Sequence, residues 1–276
     1  GTKGGPAIRP GSPMPTSNLI YIDGQPVVVD CGLGVSRGLT QQGITLDSIS
    51  LIFITHMHSD HYLELGPLLH TAWTSGLKND VKVCGPPGLE NYWKFFLKSM
   101  QADISIRIRN EGRPDLENMV EFAQIREGPF LKFGDVIVSA IRNLHPPLLD
   151  TFAISFKTKN SHVVFGGDTS YMPELANFAK GADLLVHEAM LKEGLKPLTE
   201  RVGNTDDRLM KHFLRAHTLA TDVGKIAKEA EVKALALNHL IPADDPDFRE
   251  QDWRLAIEKE WSGTLYIGTD GLRINM

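Results

Sequence analysis

Apolar residues along this chain fall into short β-branched runs separated by turn residues, and later into runs that alternate with amphipathic stretches. Asn18–Ile22 and Val27–Asp30 read as strands around Asp23-Gly24-Gln25, a hairpin signal. Ser50–Thr55 (SLIFIT) is apolar and β-branched throughout, so it reads as a buried strand. The pattern then predicts a helix over Leu63–Trp73, a strand over Val81–Cys84, and the turn Gly85-Pro86-Pro87-Gly88. A second helix over Leu89–Met100 carries Tyr92, Trp93, Phe95 and Phe96. Strands follow at Val136–Ile141, Ala153–Thr158, His162–Gly166 and Leu184–His187, then helices at Asp207–Leu214 and Leu219–Glu231. Ala234–Asn238 and Thr264–Ile267 are the final strands. Strands in series early and helix–strand alternation late favour two sheets with helices outside, an α/β layered sandwich (αβ/βα), over one doubly wound sheet. Neither repeats nor long linkers divide the sequence, so residues 1–276 are expected to form a single domain.

Composition changes this picture little. A chain of 276 residues buries enough surface to fold without staples, which sets disorder aside for most of its length. No apolar run reaches the roughly 20 residues of a membrane-spanning helix. A net charge of −5 argues against a general nucleic-acid binder. Cys31 and Cys84 are too few and too far apart for a thiolate metal site, which leaves buried free thiols or one disulfide. The sequence starts at Gly1 without an initiator methionine, so a removed leader stays open. Cytoplasmic and periplasmic or secreted locations are therefore both open.

Candidate chemistry concentrates directly after SLIFIT, in Thr55-His56-Met57-His58-Ser59-Asp60-His61. In an extended segment alternate side chains share a side, so His56 and His58 can grip one ion together. Asp60 and His61 lie just beyond, where a turn can aim them at a second ion. Imidazole nitrogens and carboxylate oxygens suit zinc.

The motif and its later partners resemble the metallo-β-lactamase-fold hydrolases, whose fold is a four-layer αβ/βα sandwich. The resemblance runs through Asn143-Leu144-His145-Pro146, Gly166-Gly167-Asp168-Thr169 and Leu237-Asn238-His239-Leu240, each after a predicted strand. It implies two zinc ions per chain: one held by His56, His58 and His145, the other by Asp60, His61 and His239, with Asp168 bridging. Asp30, in Val-Asp-Cys-Gly-Leu-Gly, matches the early aspartate that orients the ligand loop.

Val186-His187-Glu188-Ala189-Met190 and Ala216-His217-Thr218-Leu219-Ala220 resemble segments of the branch that holds tRNase Z-like endonucleases and zinc-type arylsulfatases. That likeness makes His217 a candidate general acid oriented by Glu188, with Asp60 counted beside them as catalytic. His70, His162 and His212 read as structural or exposed, and His187 receives no chemical role.

The departures from that branch are as informative. Its tRNA endonucleases carry a long arm between the fifth ligand and the bridging aspartate, whereas the stretch from His145 to Asp168 here has room for two strands and a turn. Basic residues form no dense cluster, although Lys192, Lys196 and Arg201 lie near one loop.

The leading expectation is a di-zinc hydrolase of a small, aromatic ester-like substrate: an aryl sulfate, phosphodiester, carboxyl ester or lactone. A tRNA 3′-processing endoribonuclease without the usual arm is the alternative, and a di-iron redox protein a further one. Nucleic acid and membrane are not expected partners, and relatives suggest a homodimer. Trp73 and Leu89–Phe96 are expected to line the pocket. The polar, Gly/Pro-punctuated segment Leu191–Phe213 reads as a loop that could act as a lid.

Overall fold

The computed structural model describes residues 1–202 and 206–276. The first half runs β1 (Asn18–Ile22), β2 (Gln25–Val29), α1 (Val35–Gln41), β3 (Leu51–Phe53), α2 (Ser59–Tyr62), α3 (Leu65–Thr74), β4 (Val81–Gly85), α4 (Leu89–Glu111) and β5 (Val120–Gln124). The second begins with β6 (Gly128–Phe133), β7 (Val136–Arg142), β8 (Phe152–Lys157) and β9 (His162–Phe165). It continues α5 (Glu174–Phe178), β10 (Leu184–Met190), α6 (Leu195–Val202), α7 (Arg208–Ala216) and α8 (Ala220–Glu229). β11 (Ala234–Ile241), α9 (Glu250–Glu258) and β12 (Thr264–Ile267) complete it.

Side-chain alternation explains how these elements stack. Every residue of β3 is buried, yet Leu51 and Phe53 join one core while Ile52 joins another. β2 divides likewise, with Val27 and Val29 on one face and Val28 on the other. Strands with both faces covered read as unbroken apolar runs, which is why SLIFIT lacks polar alternation.

Among the described residues the strands form two sheets, ordered β1-β2-β3-β4-β5 and β12-β11-β10-β9-β8-β7-β6. Phe53 from the first sheet packs edge-on against Phe156 from the second, with ring centroids 5.1 Å apart. The outer face of the first sheet packs on α1, α3 and α4, and that of the second on α5, α8 and α9. The result is the four-layer αβ/βα sandwich.

Several elements differ from the sequence expectation. The helix expected over Leu63–Trp73 starts at Leu65 and ends at Thr74, and the Leu89 helix runs to Glu111 because Ile104 and Ile108 keep one face on the core. β5 and β6 escape the pattern because they lack fully buried residues, and β6 also contains Pro129. The short helices α1, α5 and α9 were likewise not legible.

Leu191–Phe213 is largely helical: it contains α6 and most of α7, while 203–205 lie outside the described residues. Leu195 and Leu198, with Met210 and Phe213 from α7, form a small apolar cluster that holds these helices down. Arg201 on α6 pairs with the buried Asp244, which also binds Arg9 at 2.7 Å. Lys196 pairs with Glu200 and faces away from the core.

Trp73 and Trp93 are core residues, so they do not line a substrate pocket. The Tyr92 hydroxyl donates to the Leu63 carbonyl and accepts from the Gly66 amide, and only Phe95 of this group faces solvent. Both thiols are free. Cys31 belongs to the core outside the first sheet and Cys84 to the core between the sheets, so they cannot pair. None of the described helices is long and apolar enough to cross a membrane.

Candidate metal centre

Chain direction puts the chemistry at one edge. Asp30, Thr55-His56, His145 and Asp168 follow the carboxyl ends of β2, β3, β7 and β9, and Glu188 and His239 lie in the carboxyl-terminal halves of β10 and β11, where α/β sheets commonly bind ligands. His58 is the extended residue before α2, and the helix turn then swings Asp60 and His61 back toward the strand ends. His239 holds a left-handed backbone (φ 43°), secured by its amide donating to Asn238 Oδ1 at 2.7 Å.

The seven side chains picked out by sequence converge as two groups. His56, His58 and His145 form one, and Asp60, His61 and His239 the other, each with its ligand atoms within 4.8 Å of one another. His58 Nδ1 lies 3.1 Å from His56 Nε2 and 3.0 Å from His145 Nε2. Asp168 Oδ2 stands between the groups, 3.0 Å from His239 Nε2, 3.3 Å from His61 Nε2 and 3.7 Å from His56 Nε2. His61 Nε2 and Asp168 Oδ1 are buried without a protein hydrogen-bond partner, and a metal ligand atom pointing at its ion has that character. Five imidazoles and two carboxylates, without sulfur, fit a pair of borderline divalent ions.

On three of the five histidines the opposite ring nitrogen is also held, the arrangement usual for metal-binding histidines. His61 Nδ1 donates to Asp30 Oδ2 at 2.8 Å, and Asp30 also accepts from the Thr55 amide and hydroxyl. His145 Nδ1 donates to the Ala216 carbonyl at 2.7 Å, which ties it to the end of α7. His56 Nδ1 pairs with the Thr55 hydroxyl at 3.0 Å. Asn143 donates to the carbonyls of Gly166 and Asp168 and thereby shapes the loop that presents Asp168.

Burial and charge split the two groups. Burial pushes His56 well down and His145 to about 3, so both present neutral lone pairs. Burial opposes protonation of His239 and His61 too, but Asp168, with Asp60 at both and Asp30 at His61, outweighs it. His61 is raised, and His239 reaches about 10. Burial would raise Asp168, yet His239 and His61 hold it well below the carboxylate range. The second group is therefore a pocket that attracts positive charge.

His217 lies beside both groups, its ring 5.0 Å from His145 and 5.4 Å from His239. Its Nδ1 is 2.7 Å from Glu188 Oε2, while Glu188 Oε1 accepts from the Thr169 amide at 2.6 Å. Burial lowers His217 to about 4 and, with the charge of Asp168, raises Glu188. The pair thus favours a neutral carboxylic acid donating to a neutral imidazole, which leaves the N–H on Nε2.

His187 is a core residue with Nδ1 donating to the Glu188 carbonyl at 2.7 Å, and His70 and His162 lie away from this centre. His212 does not. Its ring is 6.3 Å from those of both His58 and His145 and 5.8 Å from His217, so the residue read as structural or exposed is half-buried beside the centre. No sequence signal marked it, because the packing of α7 across the strand ends brings it there.

Known proteins share this architecture. A metallo-β-lactamase-fold protein of Bacillus subtilis superposes with a TM-score of 0.72 at 20% identity, covering 99% of this chain and 95% of the other. The short form of human tRNase Z gives 0.68 at 20% identity, covering 100% and 96%. By sequence, Ribonuclease Z of Mycobacterium bovis is 28% identical over 275 residues, 96% of this chain and 95% of that protein. The family model described as anti-Pycsar protein Apyc1 matches residues 11–241, a span that holds every ligand-type residue from His56 to His239. This metallo-β-lactamase-fold chain belongs to the anti-Pycsar protein Apyc1 family.

Proposed function

We propose that the chain is a metal-dependent hydrolase of phosphodiesters that uses two zinc ions and acts on small substrates. The observation that carries this reading is the pair of ligand groups sharing Asp168, with the His217–Glu188 pair alongside. His56, His58 and His145 would hold one ion, Asp60, His61 and His239 the other, and Asp168 both. Bound there, such ions supply a water acidic enough to attack at neutral pH and offset charge that builds on the phosphoryl oxygens.

The protein's own groups complete the chemistry. Asp30, Thr55 and the Ala216 carbonyl hold the rings of His61, His56 and His145 in one tautomer, so their lone pairs stay aimed at the centre. Glu188 holds His217 so that Nε2 gives its proton to the departing oxygen while Nδ1 takes up the Glu188 carboxyl proton, leaving a neutral imidazole and a carboxylate. Proton donation of this kind typically contributes about 10²–10⁴-fold. Thr169 ties Glu188 to the loop that carries Asp168, which keeps proton donor and ligands in register.

The short connection between His145 and Asp168 supports a small substrate. β8, β9 and their turn occupy it, leaving no segment to grip a large RNA. The curated relatives named Ribonuclease Z favour a second reading, cleavage of RNA at a phosphodiester. Both readings share the same bond chemistry. The test compares nitrophenyl phosphodiesters, linear and cyclic nucleotide phosphodiesters, nitrophenyl sulfate and a 3′-extended tRNA at matched enzyme and zinc concentrations. Metal-dependent cleavage of the small diesters is the expected result. Trimming of the tRNA with small diesters untouched would move the assignment to the second reading, and preference for the sulfate would refute both.

A further inference from the structure

His212 has no place in the ligand set or the proton-donating pair, yet it overlooks both. It sits in mid-α7, half-buried, with its ring 6.3 Å from His58, 6.3 Å from His145 and 5.8 Å from His217. The other imidazoles of this rim are committed. His58 faces His56 and His145, His145 is held by the Ala216 carbonyl, and His217 is held by Glu188. Among the described residues, His212 is surrounded by rings, including Phe213 at 6.1 Å, with no carboxylate or carbonyl fixing it.

The helix pattern sharpens the contrast. Met210 and Phe213 dip into the apolar cluster beneath α7, and Ala216 is buried at its end. His212 lies on the margin of that buried face, on the side of the strand ends. Its ring therefore stands beside the two ligand groups and His217, while the packing of α7 rests on its neighbours.

We propose that His212 is a substrate-contacting residue that donates a hydrogen bond to a phosphoryl oxygen on the His58–His145 side of the centre. The inference rests on the phosphodiester reading above. One face of the phosphoryl group then meets the ligand groups, the leaving oxygen meets His217, and His212 holds an oxygen that neither engages. α7 thereby contributes a wall to substrate recognition.

The experiment uses the zinc-loaded full chain and His212→Phe, which keeps an aromatic ring against Phe213 and His217 but cannot donate. His212→Gln, which keeps a side-chain N–H, is the second variant. Inorganic phosphate affinity is read by calorimetry, KM and kcat with a nitrophenyl phosphodiester, and zinc content by metal analysis. His212→Phe should keep its zinc and weaken phosphate binding and KM by about tenfold or more, the loss of one hydrogen bond to a charged oxygen, with little change in kcat. His212→Gln should recover most of that loss. Wild-type phosphate affinity and KM in His212→Phe would overturn the proposal, as would loss of zinc from both variants, which would mark a structural role. If the wild type binds phosphate in a His212-dependent way but cleaves no diester, the functional reading fails and this contact stands. Equal cleavage of diesters by the wild type and His212→Phe would overturn the contact and leave the functional reading standing.

Discussion

Asp30 shows how one side chain governs others it does not join in ligation. Its carboxylate accepts from the Thr55 amide, the Thr55 hydroxyl and His61 Nδ1, and its backbone is left-handed (φ 65°). Asparagine tolerates that backbone, so Asp30→Asn should fold. Its amide oxygen can still accept from Thr55, but that places an NH2 group against His61 Nδ1. The ring must then move its proton to Nε2, the atom that should offer a lone pair to the metal. We expect zinc affinity to fall by about 10–100-fold, measured by competition with a chromogenic chelator. Unchanged affinity would mean that Asp30 does not set the tautomer.

The cysteines give a second test at this scale. Burial, with Glu121 adding and Lys82 opposing, pushes Cys84 up to about 12, and burial with Asp30 and Glu64 also raises Cys31. Only the thiolate attacks alkylating reagents, and raised values keep both groups as thiols at pH 8. Iodoacetamide should leave both unlabelled in the folded protein and label both in denaturant, as read by mass spectrometry.

At the level of elements, legibility followed local constraint. His56, His58, Asp60 and His61 could be found as candidate ligands because one strand end and one helix turn hold all four, so their spacing is a local property. Leu191–Phe213 was misread because polarity and Gly/Pro content signal a loop, while a few apolar anchors suffice to dock two helices. The aromatics of α4 were ambiguous for a related reason, since helical spacing alone cannot separate core from pocket. His212 was invisible because its place beside the centre depends on where α7 lands.

Packing of α4 against α3 can be tested at Gly66. A Cβ added there would lie 2.5 Å from the Phe96 ring, closer than any real contact. Alanine improves helix propensity by about 1 kcal/mol. Overpacking costs about 1–3 kcal/mol and should win. Gly66→Ala is expected to lower the urea midpoint modestly while zinc content and turnover stay near wild type, because the strand ends are not displaced. A more stable variant would show that the helices are free to separate.

Across the whole molecule, the metal centre is a joint between two halves. His56, His58, Asp60 and His61 come from the first sheet's strand ends, and His145, Asp168 and His239 from the second's. The Phe53–Phe156 core holds the halves together, but it does not neutralise the carboxylates gathered at the edge. Asp60 and Asp168 instead depend on His61 and His239, which are drawn to hold protons by those same carboxylates. Zinc should displace those protons and tie the halves more strongly, since an ion that binds only the folded state stabilises it by mass action. At a free zinc concentration about 100 times the dissociation constant, that gain is about 2.7 kcal/mol for each ion bound. For a chain of this size it corresponds to a Tm rise of roughly 5 °C or more. Asp168→Ala, which removes the group shared by both sites, should reduce the rise sharply even if the metal-free proteins melt alike. Differential scanning calorimetry with zinc and with a chelator makes the comparison. An equal rise in the variant would mean that the two ions bind independently of Asp168 and that the halves are not coupled through it.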